Sequence, residues 1–169
     1  MFEGFTSLTT APTLPATRTN GGCYYEMFRN CTSLTTAPEL PATTLASDCY
    51  FGMFEGCTSL TSAPELPATE LNTNCYGGMF SGCTNLTTAP ELAATTLTYN
   101  CYDSMFKGCT KLNSVTCLAT SGIGDENEST TDWLDGVAAS GTFIKAAGAT
   151  WTEGSASGIP SGWTTQNNP

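Results

Sequence analysis

The chain has 169 residues, with 5 Lys+Arg against 15 Asp+Glu and no histidine, a formal charge of −10. That balance argues against nucleic acid or an anionic membrane surface as partner, since both need a basic patch. The lack of histidine removes the commonest general base and metal ligand, and no apolar run is long enough for a transmembrane helix.

In chain order, the first residues already belong to a repeat. Met-Phe pairs begin at Met1, Met27, Met53, Met79 and Met105, and Leu8, Leu34, Leu60, Leu86 and Leu112 keep the same period of 26. A leucine-bearing period of 20–29 residues is the mark of a leucine-rich solenoid. The first repeat is atypical: Phe5 stands where later repeats have Cys, and Arg18–Gly22 lacks a leucine. Terminal repeats of a solenoid often depart in this way. Because Met1 falls on the repeat register, a processed or truncated N-terminus is expected. No signal peptide is visible.

Each full repeat reads as two parts. Cys49, Tyr50, Met53, Phe54 and Cys57 fall at i, i+1, i+4, i+5 and i+8, which predicts one face of a short helix ended by Gly56. Thr58–Ala63 predicts one short strand, paired over about three residues before Pro64 and Pro67 end the ladder. Leu66 and Leu71 return the chain to the core. After Leu112 the repeat decays. Trp133–Val137 resembles Met105–Cys109 at an offset of 28. Ser129–Asp132 could cap a helix, and Thr142–Lys145 reads as a strand. The expected organisation is a repeat array over 1–118, then a degenerate last repeat and C-terminal cap over 119–169. Trp133, Phe143, Trp151 and Trp163 would close the core. The fold class is therefore an α/β solenoid. It would be a right-handed leucine-rich-repeat coil, with a parallel sheet of short strands on one side and short helices on the other.

The motif Phe54-x-x-Cys57-x-x-Leu60-x-x-Ala63, followed by Leu66-Pro67 and repeated, resembles the BspA-like leucine-rich repeat family of bacterial surface proteins. The likeness covers roughly residues 1–118, and the repeat here is longer than the family's usual one, with an added proline at Pro38, Pro64 or Pro90. The resemblance implies a cell-surface or secreted location and a role in adhesion or host-protein binding. It carries no catalytic residues.

Nine cysteines form two ladders, at 23, 49, 75, 101 and at 31, 57, 83, 109, with Cys117 extra. Without His or close Cys-x-x-Cys sets they do not read as metal ligands. Bridges between neighbouring rungs are one alternative; buried thiols packing as small hydrophobes are the favoured one. Phe5 at the first rung fits the packing reading. Tyr24, Tyr50, Tyr76 and Tyr102 form a further ladder, read as packed side chains in preference to a sugar-stacking surface. Residues 125–129 have oxygen ligands at alternate positions, loosely like a calcium loop. They lack the glycine and glutamate such a loop needs, and read as a solvated turn. No nucleophile has a base partner, so no enzyme, cofactor or metal is expected.

The expected function is a non-catalytic recognition or adhesion module for a host or microbial protein or glycan, monomeric, with no nucleic acid and no membrane insertion. The alternative is a structural repeat spacer or part of a fibre or tail assembly. The candidate binding face holds Thr35, Thr36, Thr61, Ser62, Thr87 and Thr88, with Glu39, Glu65 and Glu91 beside them. Polar residues recurring where Leu or Val would serve a core better are expected to face outward.

Overall fold

The computed structural model describes residues 1–124 and 127–169. The calcium-like reading of 125–129 therefore falls partly outside the described residues. Equivalent residues of successive repeats stack in register. Phe2, Phe28, Phe54, Phe80 and Phe106 form one column of parallel rings, with neighbouring centroids 5.6 Å apart. Tyr24, Tyr50, Tyr76 and Tyr102 form a second. No repeat buries these rings alone; each covers the face of the next.

Among the described residues the predicted short helices are not seen. Residues 48–57 form a ribbon of turns instead. The N–H groups of Phe51, Met53, Glu55 and Cys57 donate to carbonyls three residues back. Those of Asp48, Tyr50, Gly52, Phe54 and Gly56 donate forward to the next repeat, Tyr50 to Cys75 at 3.0 Å and Phe54 to Met79 at 2.9 Å. Every fourth residue has positive φ: Asp48 at 57°, Gly52 at 57° and Gly56 at 70°. That conformation breaks an α-helix of L-residues and leaves alternate N–H groups for the neighbouring repeat. The apolar spacing of i, i+4, i+8 arises from this four-residue turn period. The cap reading of Ser129–Asp132 fails for the same reason, since 128–137 continue as the same kind of turn.

Strands are also scarcer than expected. The named strands are β1 (Ser114–Cys117), β2 (Gly141–Lys145) and β3 (Trp163–Asn167), in one parallel sheet ordered β1-β2-β3. Ser114 pairs with Thr142, and Gly141 with Trp163. Earlier repeats touch through single parallel bridges, such as Thr10 with Thr36 and Thr88 with Ser114. Prolines explain the difference. Pro38, Pro41, Pro64, Pro67 and Pro90 donate no hydrogen bond, and the true strands begin where the proline signature stops. The strand read at 142–145 is β2; β3 was not anticipated.

Gly82 tests the turn ribbon. Its φ is +73°, and an added Cβ would lie 3.7 Å from the Gly56 backbone. A β-branched residue is a genuine outlier in that region. Gly82→Val should destabilise by about 2–3 kcal/mol in urea unfolding. A loss below about 0.5 kcal/mol would show that the ribbon relaxes without strain.

Candidate recognition groove

The two ladders of cysteine are explained by packing and by one hydrogen bond. Cys31, Cys57, Cys83 and Cys109 are fully buried, and each Sγ–H donates to the carbonyl of a phenylalanine one repeat back. The partners are Phe2, Phe28, Phe54 and Phe80, at 3.0–3.1 Å. A small apolar side chain with a weak donor fits that position. Phe5, at the first rung, has no donor in its side chain and is exposed. All nine cysteines are free thiols, and Cys23 is the exposed one. Burial pushes the Cys57 thiol up to about 12 and the Cys49 thiol up to about 11.

Tyr50, Tyr76 and Tyr102 are each 1 % exposed. They are core columns, so a sugar-stacking tyrosine surface is ruled out for those three. Trp133 continues the column, 6.4 Å from Tyr102, and Trp151 closes it, 5.2 Å from Trp133.

The nine residues of the expected binding face are all exposed. Glu39, Glu65 and Glu91 line a chain of three adjoining depressions, of about 230, 470 and 390 Å³. Pro38 and Pro41 are shared by the first two, Pro64 and Pro67 by the second two, so the depressions join into one groove crossing the stacked repeats. Thr35, Thr36, Thr61, Ser62, Thr87 and Thr88 stand outside its lining. The prolines are the groove residues that sequence reading passed over, because they were weighed only as strand terminators. Their signal was the recurring Ala-Pro-Glu-Leu-Pro.

Electrostatics separates this groove from the opposite side of each repeat. On the turn ribbon, Arg29 pairs with Glu26 at 3.1 Å and Glu55 at 3.2 Å, and Lys107 pairs with Asp132 at 2.8 Å. Among the described residues, no ion pair forms at Glu39, Glu65 or Glu91. They recur at the same place in successive repeats, and neighbouring depressions share the glutamates between them. Such a row repels itself and attracts extended positive charge. Among the described residues no cluster of His, Cys, Asp or Glu could hold a metal ion, and no helix is long and apolar enough to cross a membrane.

No family model matches this chain, and the searches of curated proteins and of solved structures found no match.

Proposed function

We infer that the stacked repeats form a solenoid-type recognition module, non-catalytic, that binds an extended basic segment of another protein along the Pro-Glu groove. The observation that carries this reading is the row of Glu39, Glu65 and Glu91, without cationic partners, set in a proline-walled groove. Prolines present a rigid apolar wall at little entropic cost, and the carboxylates supply charge complementarity. The resemblance to BspA-like surface proteins supports a secreted or cell-surface setting and a protein or glycan partner. The exposed threonines and Ser62 extend the polar surface beside the groove with hydroxyl donors and acceptors.

The test is a pull-down from host and microbial extracellular protein, with a glycan array in parallel, followed by variants. Reversing all three charges with Glu39→Lys, Glu65→Lys and Glu91→Lys should weaken the captured partner at least tenfold. Thermal unfolding should stay nearly unchanged, because all three side chains are exposed. Thr61→Lys with Thr87→Lys should weaken it less. Equal binding by the triple variant would sink the groove assignment. Capture of nothing by either method would favour the spacer reading, whose support is the near-identity of the repeats.

A further inference from the structure

Between successive repeats, the turn ribbon hands its N–H groups to carbonyls of the next one. Phe54 donates to Met79 at 2.9 Å and Gly56 to Ser81 at 2.8 Å; Phe106 donates to Trp133 at 2.9 Å and Gly108 to Asp135 at 2.7 Å. On the last ribbon the corresponding donors are the N–H groups of Leu134 and Gly136. Neither has an acceptor among the described residues. Gly136 keeps the register: its φ is +72°, and an added Cβ would lie 3.5 Å from the Gly108 Cα. Earlier ribbons pair this series fully; on the last one the N–H groups of Thr130 and Asp132 likewise have no backbone acceptor among the described residues, and those of Leu134 and Gly136 end the row. They border a cavity of about 300 Å³, walled on its far side by Gly154–Ala156, Gly158, Pro160 and Ser161. Leu134 is only 5 % exposed, yet it and Gly136 line the cavity, so a ligand entering there meets both backbone donors.

We propose that this cavity binds an extended basic peptide from another protein, whose carbonyls two residues apart accept from the N–H groups of Leu134 and Gly136. The peptide takes the place of the next repeat, as an added strand does at a sheet edge. Charge decides between a peptide carbonyl and an anion. Asp132 and Asp135 line the cavity, and the nearby cation is Lys107, 2.8 Å from Asp132 and 3.8 Å from Asp135. Two carboxylates against one ammonium disfavour a phosphate or carboxylate ligand and favour a Lys or Arg side chain beside Asp135. Leu134, Val137 and Pro160 supply the apolar part of the lining.

Two measurements on the uniformly ¹⁵N-labelled chain test this. In hydrogen exchange, the Leu134 and Gly136 amides should exchange at least tenfold faster than those of Phe106 and Gly108. Equal protection would mean that the donors are already paired and would overturn the proposal. In titration with acetyl-Ala-Lys-Ala-Lys-Ala-amide, the same two amides should show saturable shifts, and the peptide with Glu for Lys should show none. Ala156→Trp, which fills the cavity from an exposed wall position, and Asp135→Lys should each weaken binding at least tenfold without altering the melting temperature. Unshifted Leu134 and Gly136 amides, equal binding of the Glu peptide, or unchanged affinity in both variants would overturn it. So would shifts that follow protein concentration alone, which would place a second copy there. Shifts confined to Glu39, Glu65 and Glu91 would leave the Pro-Glu groove standing and remove this site.

Discussion

Raising the pH from 8 to about 10.5 should unfold the protein cooperatively. Five buried thiols carry the effect. Burial pushes Cys49 and Cys101 up to about 11, and Cys57, Cys109 and Cys117 up to about 12, from an ordinary value of 9.0. Desolvation is the first cause in every case, because a thiolate loses its water and gains no cation. The folded chain holds these protons where the unfolded chain has released them. The unfolded state therefore binds fewer protons above pH 9, and stability falls as pH rises. The contribution is complete below the unfolded value and lost progressively toward the folded ones. One unit above the unfolded value each thiol has cost about 1.4 kcal/mol, roughly 7 kcal/mol for the five. That is comparable to the whole stability of a typical domain, about 5–15 kcal/mol. Cys75 and Cys83 shift in the same direction. Buried Tyr50, Tyr76 and Tyr102, raised by desolvation, add to the loss above pH 10. Circular dichroism and tryptophan fluorescence against pH should show a steep midpoint near pH 10–10.5. At pH 8 a thiol reagent should react promptly with exposed Cys23 alone, and with nine groups after denaturation without reductant. A midpoint above about pH 12, or four or more thiols missing from the denatured count, would show that the ladders are not buried free thiols.

Trp133→Ala should remove about 3–5 kcal/mol, the range for deleting a fully buried large aromatic. Trp133 has no exposed surface. It ends the tyrosine column against Tyr102, stacks on Trp151, and meets Phe143 edge-on at 5.9 Å. Its Nε1–H donates to the Gly158 carbonyl at 2.9 Å, so truncation also leaves a buried acceptor unpaired. Because each repeat is stabilised mainly by its neighbours, the damage should begin at residues 129–163 and spread backward. Urea unfolding should show a lower midpoint, and hydrogen exchange should rise first in β2 and β3. A loss under about 1 kcal/mol would mean that the tail does not close the core.

The sequence by itself determined the period, the end of the regular array, and most of the core. In-register stacking makes the same chemistry recur at the same place, so Phe28, Phe54, Phe80 and Phe106 announced a column, and so did the cysteines and leucines. The exposed glutamates were legible for the complementary reason: a charge repeated every 26 residues must lie where every repeat meets water. Three things were decided only by tertiary structure. The turn ribbon imitates a helix in apolar spacing. What separates the two is that every second N–H bonds to a residue about 25 positions on, a partner no local window contains. The positive-φ positions at Asp48, Gly52 and Gly56 were the one local trace of it. β3 has little apolar alternation of its own and becomes a strand because β2 offers it an unpaired edge. Among the described residues the donors of Leu134 and Gly136 have no backbone acceptor, and across the cavity from them stand residues of Gly154–Ser161 where an earlier ribbon faces another repeat. Local chemistry specifies which residues a repeat buries; whether a backbone donor finds an acceptor depends on the neighbour that stacking supplies.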